Sequence, residues 1–525
     1  MQRIRLGVVS RAAPENWELE CVRRLREAPG VDVTLTASLG DDGRSLAAST
    51  ATNATLPPSI STPNFIELLR ELDCLLWLDD AAVPASLANV PAHGVWRFHY
   101  GDWVHYRGGP GGFWELHDGS VTSSAMLVRV TATPDAVIVL REGHLRTEVN
   151  VRRNREQWHR HFVEWAVQAV ADVRRGRLRS VSGPPLVSSR RRGAPGALAK
   201  STCRVRTAVR RGRSLLRDLF VHEQWNIGLI RAPIHAVLSG AQRLHIEWFD
   251  APRRHEFLAD PFGVMRDGKL TVFCEYLDQR NPRGVIVASD ERGSVASRTP
   301  VQIGPDTPVH LSYPYLLEVD GKLLCVPETH EAREVALYEL VEFPSRWRKV
   351  AALLRDRAVV DATLFRFGGS WWLAASEVAS KGKNSELHLW WAPALEGPWT
   401  PHAQNPVKVD VRSARPGGTP FVHEGVLYRP AQDCSASYGC RIVVNRVLEL
   451  TPEEFKEETA VAVEPDKTGP RRAGLHTLSA AGGYTLIDGK RFLFVPQEFW
   501  RALRWLFGAV TRARPVKSGE WVPSR

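Results

Sequence analysis

The chain has 525 residues, 43% hydrophobic and 24% charged, enough for two or three separately packed cores. It holds no apolar run of the ~18 residues that a membrane-spanning helix needs. Its start, MQRIRLGVVSRAAPENWELE, lacks the apolar stretch of a secretory signal, so a cytoplasmic protein, soluble or peripheral to a membrane, is expected. The net charge of +11 is local: fourteen basic residues and no acidic one lie between Arg174 and Arg217, so the remainder is slightly acidic and nucleic acid is disfavoured as a partner.

Residues 1–173 are predicted to form an α/β unit. IRLGVVS reads as a strand, ENWELECVRRLREA as an amphipathic helix, VDVTLTA as a second strand, and FIELLRELDCLLWLD as a helix running into a third strand. Strands alternating with helices argue for a parallel, Rossmann-like sheet covered on both faces, closed by the helix NREQWHRHFVEWAVQAVADVRR. No G-x-G-x-x-G follows the first strand, which argues against a standard dinucleotide site. The loop GVWRFHYGDWVHYRGGPGGFWEL, Gly94 to Leu116, resembles a diverged formyltransferase loop: His99 takes the histidine position and Arg107-Gly108 the arginine-glycine, with Asp135 at the distance of the family's aspartate. The resemblance implies a formyltransferase-like fold with His99 and Asp135 catalytic, Arg97 and Arg107 binding substrate, and 10-formyltetrahydrofolate or a nucleotide sugar as ligand. Arg97 stands where the family has asparagine, which removes the usual oxyanion donor and points to a degenerate domain that binds a sugar nucleotide or scaffolds its neighbour. A core histidine is the plainer reading of His99.

Residues 174–221 read as a linker rich in Pro, Gly and Arg that ends in a short basic helix, either solvated or drawn to anionic lipid headgroups. From about Trp225 the chain turns to short strands rich in Val, Leu, Tyr, Phe and Trp. Hairpin signals at Asp267-Gly268, Asp320-Gly321, Gly368-Gly369, Glu424-Gly425 and Asp488-Gly489 recur about every fifty residues, which predicts a five-bladed β-propeller over 222–510, followed by a tail at 511–525. Eight positions before the turn glycines lie Asp260, Tyr313, Asp361, Gly417 and Ala481; seven after them lie Glu275, Glu328, Ser376, Gln432 and Pro496. If the hairpins are inner strands, Asp260, Glu275, Glu328, Asp361 and Gln432 converge on one axial face. Carboxylates so crowded either bind a ligand, share protons, or bond backbone amides of the next blade. The seven cysteines, Cys21, Cys74, Cys203, Cys274, Cys325, Cys434 and Cys440, form no C-x-x-C pair, and no metal site is expected.

The segments ADPF (Ala259 to Phe262), YPYLLEVDGKLLCVPET (Tyr313 to Thr329) and VVDATLF (Val359 to Phe365) resemble the five-bladed, furanosidase-like glycoside hydrolases. With RPGG (Arg415 to Gly418), YRPAQDCSASYG (Tyr428 to Gly439) and GLHT (Gly474 to Thr477), they resemble more specifically the N-terminal domain of glucosamine inositolphosphorylceramide transferases. In the hydrolases a first-blade Asp is the base, a third-blade Asp orients the sugar, and a fourth-blade Glu is the acid. Asp260 and Asp361 match the first two; Arg415 stands in place of the acid, and Glu328 is the substitute expected to carry a raised pKa. The substrate-binding residues implied are Glu275, Arg415, Arg429, Gln432, Asp433 and His476. The two arginines either hold an acidic glycan or sugar phosphate, or neutralise the carboxylates internally.

Three functions fit this reading: a transferase acting on a sugar or glycolipid in cell-surface polysaccharide or glycolipid synthesis, a glycoside hydrolase, and a non-catalytic glycan-binding protein. The plant-type transferases carry their glycosyl transfer on a further C-terminal domain, and with the chain ending at Arg525 that activity is not expected to carry over by name.

Overall fold

The computed structural model describes residues 3–494 except 41, 43–44, 52–58, 134, 179–185, 188–190, 240–243 and 379–381. Arg190, Pro496 and the tail at 511–525 therefore lie outside the described residues.

The first unit is an eight-stranded sheet. Strands Val31–Leu39, Ile4–Arg11, Cys74–Trp77 and Val95–Tyr100 lie side by side and pair in parallel. They read as nearly continuous apolar runs because both faces are covered: helices Asn16–Glu27 and His159–Arg174 pack on one face, around Trp17, Trp158 and Phe162, and helix Pro63–Arg70 packs on the other, around Phe65 and Leu69. The expectation of a wholly parallel sheet is corrected at both edges. Leu46–Ala51 pairs antiparallel on one side, and Thr122–Val130, Ala136–Arg146 and Leu186–Val187 continue antiparallel on the other. The turn between Val130 and Ala136 is too short for a crossover, and a short connection joins only antiparallel neighbours.

Five further sheets form the propeller. The last strand, Tyr484–Phe494, pairs along its length with Val221–Ile230, so one blade is built from both ends of the domain and the ring is closed. Four of the hairpin turns fall where the sequence places them, at Asp267-Gly268, Asp320-Gly321, Gly368-Gly369 and Glu424-Gly425. The fifth is corrected. Asp488-Gly489 lies inside the last strand, paired to Ile227 and Asn226, and the turn is at Gly482-Gly483, between Leu478–Ala481 and Tyr484–Phe494. Tertiary pairing overrides the local turn preference of Asp-Gly here, because this strand must run on to meet the first one. Counted from the true turn, the position equivalent to Glu275 and Glu328 is Lys490, not Pro496; its Nζ is fully buried against Glu223 at 3.0 Å and stands over the Trp225 ring.

The inner strands of blades one to three share one irregularity. Register shifts between Ala259 and Phe262, Ser312 and Tyr315, and Val360 and Thr363 mark a bulge in each. The residue there takes a left-handed backbone in every case: Asp260 at φ 52°, Tyr313 at 43° and Asp361 at 55°. Such backbone is costly for a residue with a side chain and recurs where a bulge re-aims that side chain.

The segment after residue 191 is not a free linker. Ala197–Phe220 forms one helix of 24 residues, longer than the short helix expected, and leads directly into the strand Val221–Ile230. Cys203 packs with Phe113 and Leu116, and Arg192 pairs with Asp118 at 2.6 Å. The two units also meet directly. Arg160 pairs with the buried Glu386, Arg146 Nη2 donates to the carbonyl of Cys434 at 2.9 Å, and Val409 of the propeller packs in the core of the first unit.

Candidate functional site

The bulges and hairpin ends bring Asp260, Glu275, Glu328 and Asp361 to a single cavity of about 400 Å³ on the propeller axis, with His310, Ser312, His330, Lys383, Asn384, Arg415 and Tyr438 also in its wall. All four carboxylates are at least nine-tenths buried. Its rim opens onto a depression of about 490 Å³ lined by Asn281, Pro282, Arg283, His310, His330 and Glu331, so the two histidines belong to both.

Each carboxylate has a different setting. Asp260 Oδ1 accepts from Thr477 Oγ1 at 2.8 Å and lies 3.1 Å from His476 Nε2. Glu275 faces His310 Nε2 at 3.2 Å. Nδ1 of that ring accepts from the Gly284 N–H at 3.0 Å, so the neutral ring carries its proton on Nε2, toward the carboxylate. Burial pushes the Glu275 carboxyl up from its ordinary value, against the pull of His310. Glu328 behaves oppositely, and the expectation that crowding raises it is corrected. Burial favours a rise, but the 2.8 Å contact with His330 Nδ1 and the charge of Arg415 outweigh it and hold Glu328 below the usual range. Burial raises Asp361, to about 7, while Arg415 opposes the rise.

Arg415 is occupied internally. Its Nε donates to Asp361 Oδ2 at 2.5 Å and its Nη1 to Asn384 Oδ1 at 2.8 Å, and the guanidinium lies over the Tyr438 ring. Gln432 Nε2 donates to the same Asp361 oxygen at 2.7 Å, so it positions Asp361 and does not line the cavity. Arg429 does not reach the axial face. It is buried in blade four, bidentate to Glu457 at 2.9 and 2.6 Å, with further bonds to the carbonyls of Ser413 and Ala414. Asp433 closes a turn, accepting from Ser435 N and from Arg441. Of the two alternatives for the arginines, the geometry favours internal neutralisation for both.

His476, expected as a binding residue, stands behind Asp260 as a bridge: Nδ1 is 2.8 Å from Asp488 Oδ2 while Nε2 faces Asp260. The ligand atoms of Asp260, His476 and Asp488 lie within 4.8 Å of one another, and the imidazolium takes the place that a shared cation would fill. Burial would lower its pKa, but Asp488 and Asp260 outweigh burial and raise it to about 10. The folded protein therefore keeps a proton on His476 that the unfolded chain loses near pH 6.5, so this contribution is complete below about 6.5 and is lost as pH rises toward 10. The melting temperature should fall over that alkaline range, and His476→Gln should flatten the fall. An unchanged slope in the variant would remove His476 from the linkage.

In the first unit the expected constellation divides. Arg107 pairs with Asp135, and Trp103 Nε1 donates to the Asp135 carbonyl at 3.1 Å. His99 packs edge-on to Trp103 at 4.8 Å, its Nε2 is buried with no partner, and burial lowers its pKa to about 3. Arg97 Nη1 reaches the Ala81 carbonyl, at 3.5 Å. His99 and Asp135 share no hydrogen bond, because Trp103 stands against the histidine and Arg107 takes the carboxylate.

Sequence reasoning missed His310, His330, Asn384, Tyr438 and Asp488. His330, two residues after Glu328, was the most legible by proximity; the strand ends at Glu328 and a 3-10 turn from His330 to Ala332 brings the ring back to the carboxylate. Asp488 was hidden by its resemblance to a turn.

Fold and site together define a two-unit protein, an α/β unit joined to a five-bladed propeller with an acidic, histidine-lined axial cavity. Residues 246–474 match the family described as glucosamine inositolphosphorylceramide transferase 1, N-terminal. The chain is 33% identical over 248 residues to glucosamine inositolphosphorylceramide transferase 1 of Oryza sativa subsp. japonica, covering 45% of this chain and 33% of that protein. The Arabidopsis thaliana protein of the same name is 34% identical over 248 residues, covering 45% and 32%. The chain thus spans about a third of the length of these curated relatives. Among solved structures, a family 117 glycoside hydrolase produced by the marine bacterium Zobellia galactanivorans aligns with a TM-score of 0.33 and 14% identity over 52% of this chain and 90% of that one.

Proposed function

We propose that this protein is a transferase of glycolipid or cell-surface polysaccharide biosynthesis that binds a sugar in its axial cavity. The observation that carries this reading is the convergence of Asp260, Glu275, Glu328 and Asp361 on one cavity, three of them backed by histidines. Carboxylate oxygens accept hydrogen bonds from sugar hydroxyls and pair with an ammonium group. The curated relatives are named for glucosamine and inositolphosphorylceramide, and an amino sugar meets this wall better than an acidic one, since Arg415 and Arg429 are already paired. In transfer at an anomeric carbon, Glu275, raised by burial, would protonate the departing oxygen, while Asp260 would accept a proton from the attacking hydroxyl and Asp361 would orient the ring. The depression beyond His310 and His330 leaves room for the rest of an acceptor. The first unit fits a scaffolding role, since Arg107 holds Asp135 away from His99.

The test is thermal stabilisation by glucosamine, N-acetylglucosamine, glucuronate and nucleotide sugars. Glucosamine should stabilise the protein more than glucuronate. Stabilisation by glucuronate or a sugar phosphate in preference overturns the assignment, and sugar release from an aryl glycoside without an acceptor would make the protein a hydrolase instead.

A further inference from the structure

The helix Ala197–Phe220 has two unlike faces. One packs on the first unit, where Cys203 is buried with Phe113 and Leu116 and Arg206 Nη1 donates to the His117 carbonyl at 2.7 Å. The other carries Leu198, Val205, Val209 and Leu216, which are 82%, 64%, 50% and 59% exposed. At about 100° per residue these four positions fall within roughly 20° of one line, a straight aliphatic stripe about 27 Å long. Leu215, about 100° round the helix from it, is 63% exposed. By the same rotation Arg213 flanks the stripe at about 60°, and Lys200, Arg204, Arg210 and Arg211 are exposed about 120–160° from it, on the polar sides of the helix; no acidic residue lies between Ala197 and Arg217.

We propose that this helix docks on a membrane leaflet bearing anionic lipids, with the stripe inserted at the headgroup boundary and the arginines on the headgroups. Its charge selects that occupant. Nucleic acid would engage the arginines but leave the aliphatic stripe in water, and a second copy of the chain would set two rows of arginine against each other. An anionic leaflet satisfies both features at once, which is how basic amphipathic helices bind in the interface plane. No helix among the described residues is long and apolar enough to cross a membrane, so the contact is with one leaflet. The helix joins the first unit to the closing strand of the propeller without a break, so docking would fix both units at the lipid surface. This inference rests on the helix alone and is independent of the sugar assignment.

Flotation of the full chain with phosphatidylcholine vesicles, with and without phosphatidylserine, tests it. The wild type should float with phosphatidylserine vesicles at least about tenfold better than with phosphatidylcholine alone, and less well at high salt. Val205→Asp with Val209→Asp should lower flotation by about tenfold or more at an unchanged melting temperature, since both side chains face solvent. Arg204→Ser with Arg211→Ser and Arg213→Ser should remove the preference for phosphatidylserine. Absent flotation, flotation indifferent to both sets of changes, or a dimer that dissolves in the Val→Asp variant while flotation persists, each overturns the proposal.

Discussion

Asp260→Asn should weaken sugar-induced stabilisation while leaving the propeller folded. The amide oxygen can still accept from Thr477 Oγ1, but the charge facing the cavity is lost. Loss of one charged hydrogen bond weakens binding by about 1–3 kcal/mol, some 5- to 150-fold in affinity. The same change removes one of the two carboxylates that hold the proton on His476 and leaves Asp488, so its folded pKa should fall and the alkaline loss of stability should end at a lower pH. That second readout needs no ligand, and it separates a variant correctly folded but unable to bind from one whose cavity has collapsed. Calorimetric titration with glucosamine together with melting between pH 6.5 and 10 measures both. Equal sugar affinity in variant and wild type would show that the axial cavity is not where the substrate binds.

Arg429→Met should strongly destabilise the propeller. The side chains of Arg429 and Glu457 are 2% and 1% exposed, and the arginine holds Glu457 below its ordinary pKa against the burial that would raise it. Removing the arginine leaves a buried carboxylate with Lys408 alone, a change that costs about 3–5 kcal/mol. The double variant Arg429→Met with Glu457→Met should recover most of that loss, because a buried ion pair and a well-packed apolar pair are often close in stability. Urea unfolding measures the difference. A loss below about 1 kcal/mol, the range of an exposed pair, would contradict a structural role and return Arg429 to the list of ligand-facing groups.

The two arginines illustrate what a single sequence conceals. Arg415 and Arg429 sit in neighbouring motifs and look equivalent as bidentate donors. Their partners lie far along the chain, Asp361 being 54 residues from Arg415 and Glu457 28 residues from Arg429, and nothing local marks either pairing. Glu328 is the mixed case for pKa: crowding among carboxylates was visible and His330 is only two residues away, but the charge of Arg415 that acts with it comes from a distant blade.

The sequence by itself determined the repeat and its consequences. A hairpin is a local structure, the side-chain period of a strand is two, and so turns recurring at a common interval place Asp260, Glu275, Glu328 and Asp361 at the same end of their strands wherever the blades go. The apolar middle strands of the first unit were legible for the same reason, since their pattern depends on burial of both faces. Tertiary structure decided the rest. Closure of the ring drew Asp488 out of an apparent turn and into a strand beside Val221–Ile230, where it meets His476 and, through it, Asp260. It gave Arg415 to Asp361, separated His99 from Asp135, and turned the aliphatic stripe of Ala197–Phe220 outward while the opposite face packed. Each of these rests on groups distant in the chain, and at Asp361 and Asp488 they meet in a buried, low-dielectric setting, where the choice of partner is made by the packing of whole blades and not by the residues on either side.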